Sequence, residues 1–288
     1  MKYLLICISS FATAICTVLS KFYTDDTKGV KSSYAIFLLF SHPIAIIFFF
    51  ILARGDVPIN FTTLLYVIIY AIICLTSVLF TLISYNKTNL INVAIFTGAG
   101  RVILPFLVEL IFSISYFSVY EILSAVFRLI AVCCPFLFAK AKGKGLLYCI
   151  ILFIISGAAV LLVKFYNMSA DVVSDNSFCF WSNVVILPAT VIMLLCRNKP
   201  KAIISDVKRI KARAYLLLIG FTLLNNFCTL LSIYAMNFMS ATIFSVLQTS
   251  GVFILTSVFS VLMFKERFTK SEFFSLIFSI ISVIFGIF

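Results

Sequence analysis

The chain has 288 residues, of which 63% are hydrophobic, 33 are Phe and only 11% are charged, and its net charge is +12. A soluble domain runs nearer half apolar and a quarter charged, and no polar stretch here is long enough to fold as one, so the composition describes an integral membrane protein. The basic residues are dealt out among short loops, which is the pattern of a chain oriented in a bilayer and not of a groove for nucleic acid.

A membrane-spanning helix needs roughly 20 mostly apolar residues. Segments of that kind cover 3–20, 34–52, 63–84, 90–114, 119–138, 145–163, 177–196, 214–236, 241–264 and 268–288. In the first, Lys2, an apolar stretch and "FATA" at 11–14 have the look of a signal peptide. The stretch is long for one, and it reads as a span. The second carries His42 before Pro43, placed to relay a coupled proton or, as a lone His does more often, to bond a neighbour. The fourth holds Arg101 and Glu109, and the fifth holds Arg128. The loop 197–213, "RNKPKAIISDVKRIKAR", is strongly basic, with Ile203, Val207 and Ile210 on one helical face. It either lies on an anionic leaflet or is a solvated loop. The run 214–264 has no charge and is too long for one span, so "AMNFMS" at 235–240 is its turn. Ten helices result. The nine Cys fall mostly inside apolar runs with no CxxC or Cys/His cluster, so neither a metal site nor a cofactor is expected.

The chain is internally duplicated. With an offset of 151, "FSVYEILSAVFRLIAV" (117–132) lies over "FTKSEFFSLIFSIISV" (268–283), and Glu121 meets Glu272 where each last helix begins. A half of five helices must insert upside down relative to its copy. The expected fold is therefore all-α, ten transmembrane helices as two inverted repeats, 1–138 and 139–288, the plan of many secondary transporters.

The stretch from Tyr234, "YAMNFMSATIF", to the end resembles the second repeat of the drug/metabolite transporter superfamily, EamA type. Tyr234 opens the turn, an apolar ninth helix follows, Lys265-Glu266-Arg267-Phe268-Thr269 stands for the usual G-E-R-L-S/T, and Gly286 lies in the last helix. The first half departs from the pattern. There "SYNKTNLINVAIF" (84–96) occupies the matching turn, Ser115 replaces the Glu, and Ser10-Phe11 replaces Trp-Gly. The resemblance implies a ten-helix carrier whose central cavity is lined partly by the fourth and ninth helices. It implies a small organic solute as substrate: an amino acid, a nucleotide sugar, a choline-like compound or a lipid-linked sugar. The plasma (inner) membrane is the expected location, with a homodimer as open as a monomer.

A charge at the centre of a span costs roughly 2.5–3.5 kcal/mol on the insertion scale, so each should face protein or water. Counted from the turn near Phe117, Glu109 and Arg128 differ in depth by only about 5 Å, which predicts a structural ion pair between them. No acidic residue is predicted at the depth of Arg101. Gly98 and Gly100 thin the helix before it, and Pro105 removes a backbone bond four residues later. A guanidinium there suits a carboxylate or phosphate. The alternative is that it bonds helix-end carbonyls, Asn92 or Asn225. Gln248, Thr249 and Ser250 lie opposite 97–100 in the repeat, so they either share the cavity or bond helix to helix. The candidate substrate-binding set is Arg101, Thr97, Gln248, Ser250, Tyr85 and Asn225, with Asn226, Tyr234 and Trp181 behind it.

The loops on one side of ten helices carry 17 basic residues, against Lys2, Arg54 and Lys164 on the other. The positive-inside rule puts the 197–213 loop in the cytoplasm and both termini outside, whereas the family usually has both termini inside. The function expected first is transport or export of an anionic or zwitterionic solute. A flippase for a lipid-linked sugar or phospholipid would also want a basic residue in its cavity. One membrane Glu and one His are thin support for a membrane enzyme, and a scaffold needs no polar cavity.

Overall fold

The computed structural model describes residues 2–30, 32–88, 90–112, 118–138, 144–169, 171, 173–197, 200–236, 241–265 and 269–287. Among them, all regular structure is helical, in eleven helices. These are α1 (Lys2–Asp26), α2 (Ser33–Leu52), α3 (Phe61–Tyr85), α4 (Leu90–Ile111), α5 (Val119–Phe138), α6 (Lys144–Met168), α7 (Asp175–Arg197), α8 (Pro200–Arg209), α9 (Ala212–Met236), α10 (Ala241–Phe264) and α11 (Lys270–Ile287). Each of the ten predicted segments is a helix. Seven of them, α1, α2, α3, α4, α6, α9 and α10, are long and apolar enough to cross a membrane. Large apolar side chains such as Leu4, Ile51, Phe61, Ile72, Leu216 and Leu262 stand exposed on the outside, where water would penalise them and lipid does not.

Local chemistry sets the helix ends. Asn60 caps α3 by accepting the Thr63 N–H at 2.7 Å. α5 and α11 begin with the same capping box. Glu121 accepts the Ser118 N–H at 3.0 Å while Ser118 Oγ accepts the Glu121 N–H at 3.2 Å; Thr269 and Glu272 repeat this at 2.8 and 3.3 Å. The two Glu that align in the duplication are thus the N3 residues of matching caps.

The helices pack α1 on α9, α3 on α6, α2 on α7, α4 on α6, α10 on α1, α4 on α10 and α5 on α11. Small residues bring backbones together at three of these crossings. A Cβ on Gly100 would collide with the Phe153 carbonyl of α6, and one on Gly251 would come within 2.9 Å of Ser10 Oγ on α1. Beside each glycine a serine donates to a carbonyl of the facing helix: Ser156 to Thr97 at 2.9 Å, and Ser10 to Gln248 at 3.2 Å. α5 and α11 run antiparallel. Ser124 Oγ donates to the Ser282 carbonyl at 2.7 Å, Arg128 Nη1 to Ser279 Oγ at 2.6 Å, and Ser275 to the Ala131 carbonyl.

α8 forms inside the basic loop. Its Val207, and Ile210 just past its end, pack on a cluster with Tyr23, Ile36, Leu82 and Leu218, and Asp206 accepts the Ser32 N–H at 3.2 Å. The apolar face expected to meet an anionic leaflet is therefore mostly spent on the protein itself. Ile204, Lys208 and Arg209 remain exposed.

Candidate functional site

A cavity of two lobes runs through the middle of the bundle. The first, of about 180 Å³, is lined by Ser20 and Tyr85 near the ends of α1 and α3 and by Val93 near the start of α4, so it extends toward the α8 side. The second, of about 150 Å³, is lined by Val163 near the end of α6 and by Phe178 and Phe244 near the starts of α7 and α10, so it extends toward the opposite side. Thr13, Arg101, Asn225 and Gln248 line both. They stand where the two lobes meet.

Arg101 is partly exposed inside this cavity, beside Tyr70 and Cys74 of α3, with which it interacts electrostatically. Among the described residues it pairs with no carboxylate. Pro105 has no N–H, so the Arg101 carbonyl lacks its helical partner, and the polarity of the site extends into the backbone. Gln248 is held rigidly: its Nε2 donates to Ser9 Oγ and Ser232 Oγ, both at 2.8 Å, joining α10 to α1 and α9. That leaves Oε1 as the atom it can offer a solute. The Asn225 side chain is exposed in the cavity. Tyr85 and Thr97 line the first lobe; the Tyr85 hydroxyl lies 3.5 Å from Ser20 Oγ, and Thr97 Oγ1 donates to the Val93 carbonyl at 2.7 Å. Among the described lining residues Arg101 carries the single full charge, surrounded by hydroxyls, amides and thiols. A guanidinium among neutral polar groups has the chemistry to hold an anion.

Two expectations are corrected. Ser250 lines neither lobe: two residues past Gln248 it is turned about 200° around α10, and it is fully buried with no partner for its hydroxyl. Glu109 and Arg128 do not pair. α4 packs along α6, whose last turn runs beyond the predicted span and brings Lys164 to the fully buried Glu109 carboxylate. Arg128 instead bonds Ser279 and lies over the Phe253 ring, 5.6 Å from its centroid. Of the two readings of His42, the structure has the commoner one: its Nδ1 is 2.7 Å from Asn183 Oδ1 across the α2–α7 contact, and it lines neither lobe. Trp181 bonds the Val57 carbonyl at 3.1 Å, and Asn92 bonds Thr88 at 3.2 Å, so neither belongs to the site.

The sequence reading missed the contribution of α1 and α3. Thr13, Thr17 and Ser20 line the first lobe at i, i+4 and i+7, and Ser77 and Thr81 face them from α3. That helical spacing of hydroxyls in an apolar segment was a legible signal.

The EamA-like transporter family matches residues 143–288, just over half of the chain. The chain belongs to the EamA-like transporter family. It is thereby a multi-pass membrane protein of the drug/metabolite transporter superfamily, whose members carry small solutes. No curated protein matches the chain closely enough to be informative. The family match covers α6 to α11, which supply Asn225 and Gln248 to the cavity, while Thr13 and Arg101 come from the half outside the match.

Proposed function

We propose that the protein is a secondary transporter that moves a small anionic or zwitterionic organic solute, such as an amino acid or nucleotide sugar, by alternating access around Arg101. The observation that carries this reading is one accessible, acid-free guanidinium at the junction of two lobes that extend toward opposite ends of the bundle. Opening one lobe while the other closes would present the same charge to each side in turn.

Two halves of opposite insertion, 1–138 and 139–288, supply the moving parts, with α5, α7 and α11 as spans beside the seven most apolar helices. At 18–23 residues each is about 27 Å long or more, enough to cross the hydrocarbon. The packing supports this. Exchanging α1–α5 with α6, α7, α9, α10 and α11 turns α1·α9 into α3·α6 and α4·α6 into α10·α1, and leaves α2·α7, α4·α10 and α5·α11 unchanged. The positive-inside count puts the α8 loop in the cytoplasm, and the plasma (inner) membrane fits that count.

Proteoliposomes loaded with labelled amino acids, nucleotide sugars and related anions test the reading. Wild-type protein should take up at least one anionic or zwitterionic solute saturably. Arg101→Gln, folded to the same extent, should lose at least about 90% of that flux, the effect of removing a charged hydrogen bond. Unchanged flux in Arg101→Gln would overturn the assignment.

A further inference from the structure

We infer that Arg128 is a second cationic determinant of the solute, and that the group bound at Arg101 is a compact dianion, a phosphomonoester. The inference rests on the transporter reading and narrows it to a substrate class. Arg128 is fully buried, and only Nη1 has a hydrogen-bond partner, Ser279; Nε and Nη2 have none. Its Nη2 lies where α4 is thinnest, 2.6 Å from the position a Cβ on Gly98 would take. Gly98 itself lines the first lobe, as does Thr249, which lies across from it at the α4–α10 crossing. A single backbone strand thus separates the Arg128 guanidinium from the cavity.

The charges do not cancel. Glu109 is neutralised by Lys164, and among the described residues no carboxylate pairs with Arg101 or Arg128. Two uncompensated positive charges remain in the interior, where an unpaired ion is costly and its field is weakly screened. A monoanion offsets one of them. Gly98 precedes Arg101 by three residues, so the α4 backbone positions at which the two cations meet the cavity wall lie within about one helical turn, roughly 5 Å, of each other. A small group that carries both negative charges together answers both cations at that stretch of the wall. An extended dicarboxylate holds its charges too far apart, whereas a phosphomonoester carries both on one phosphorus and offers three acceptor oxygens.

Binding to the purified protein in nanodiscs, read by calorimetry at pH 8, tests this. Methyl phosphate serves as the soluble dianion, dihexanoyl phosphatidate as the same group on a lipid, and dimethyl phosphate and acetate as monoanions. Wild-type protein should bind one of the phosphomonoesters at least about tenfold more tightly than dimethyl phosphate. Which monoester binds identifies a free metabolite or a lipid headgroup as the source. Arg128→Gln should abolish that preference, weakening the monoester far more than dimethyl phosphate, and Arg128→Lys should keep part of it. Gly98→Ala alters no charge but displaces Nη2, and should also weaken the preference, which covers failure of Arg128→Gln to fold. Equal affinity for mono- and dianions, or a preference that survives both Arg128→Gln and Gly98→Ala, would overturn the inference alone. Failure to bind any of the four anions would count against the anion-transporter reading itself.

Discussion

Glu109 is fully buried on α4, while its partner Lys164 keeps 16% of its side chain exposed. The pair should therefore respond unequally to mutation. Lys164→Met takes the ammonium away from a buried carboxylate, and breaking a buried pair from one side costs about 3–5 kcal/mol. Glu109→Gln leaves a lysine whose long stem reaches toward the interface, so its loss should be smaller. The double variant should recover most of the Lys164→Met loss, measured by denaturant unfolding in micelles; strictly additive losses would mean the pair is not coupled. The sequence marked Glu109 as needing a partner but hid which one, because Lys164 stands one residue past the predicted span and only the extra turn of α6 brings it inside. Arg101 was legible for the opposite reason. Its lack of an acidic partner at that depth follows from composition alone. Arg101→Lys keeps the charge but loses the planar fork, so solute affinity should fall roughly tenfold or more with little change in unfolding midpoint. Misfolding with normal transport by the surviving fraction would make Arg101 a structural residue.

At the scale of elements, length and hydropathy made the ten long helices readable, because a bilayer leaves the backbone little alternative to the helix. Contacts between helices were much less so. Gly100 and Gly251 appear in the sequence as two glycines among many small residues, and only the fold reveals that each meets a serine that bonds the carbonyl three residues before that glycine. The expectation is specific. Gly100→Ala must push α4 off α6 and should cost roughly 1–3 kcal/mol or more, an overpacking penalty. Gly220→Ala would meet nothing closer than Leu19 Cδ1 at 3.7 Å and should be neutral or stabilising by up to about 1 kcal/mol. Thermal unfolding of the two variants side by side checks the contrast; equal effects would contradict the close approach at Gly100. The loop 197–213 illustrates the reverse difficulty. Its amphipathic pattern was plain, but a pattern does not say whether the apolar face meets lipid or protein, and Val207 and Ile210 meet protein.

At the scale of the molecule, the alignment of Glu121 with Glu272 was visible in the sequence, and the capping boxes give the physical reason that both helices carry Glu there. The α5–α11 contact carries the same relation into three dimensions, since Ser124 and Ser275, which align at the offset of 151, each donate to the carbonyl of the residue aligned with the other's acceptor. Hydropathy cannot reveal such a relation, because apolar residues match by chance, whereas buried hydroxyls must find partners. If charge sets the orientation, an impermeant thiol reagent should label Lys208→Cys on α8 from the cytoplasmic side alone. The central claim, that both lobes open alternately onto one site, is tested most directly at Asn225, an exposed residue that lines both. Asn225→Cys, in protein otherwise stripped of cysteine and reconstituted in one orientation, would be treated with that reagent from each side in turn. The account expects labelling from both sides, slowed by a transported solute, in vesicles that remain tight to the reagent. Labelling from one side only, with or without solute, would contradict alternating access through this cavity.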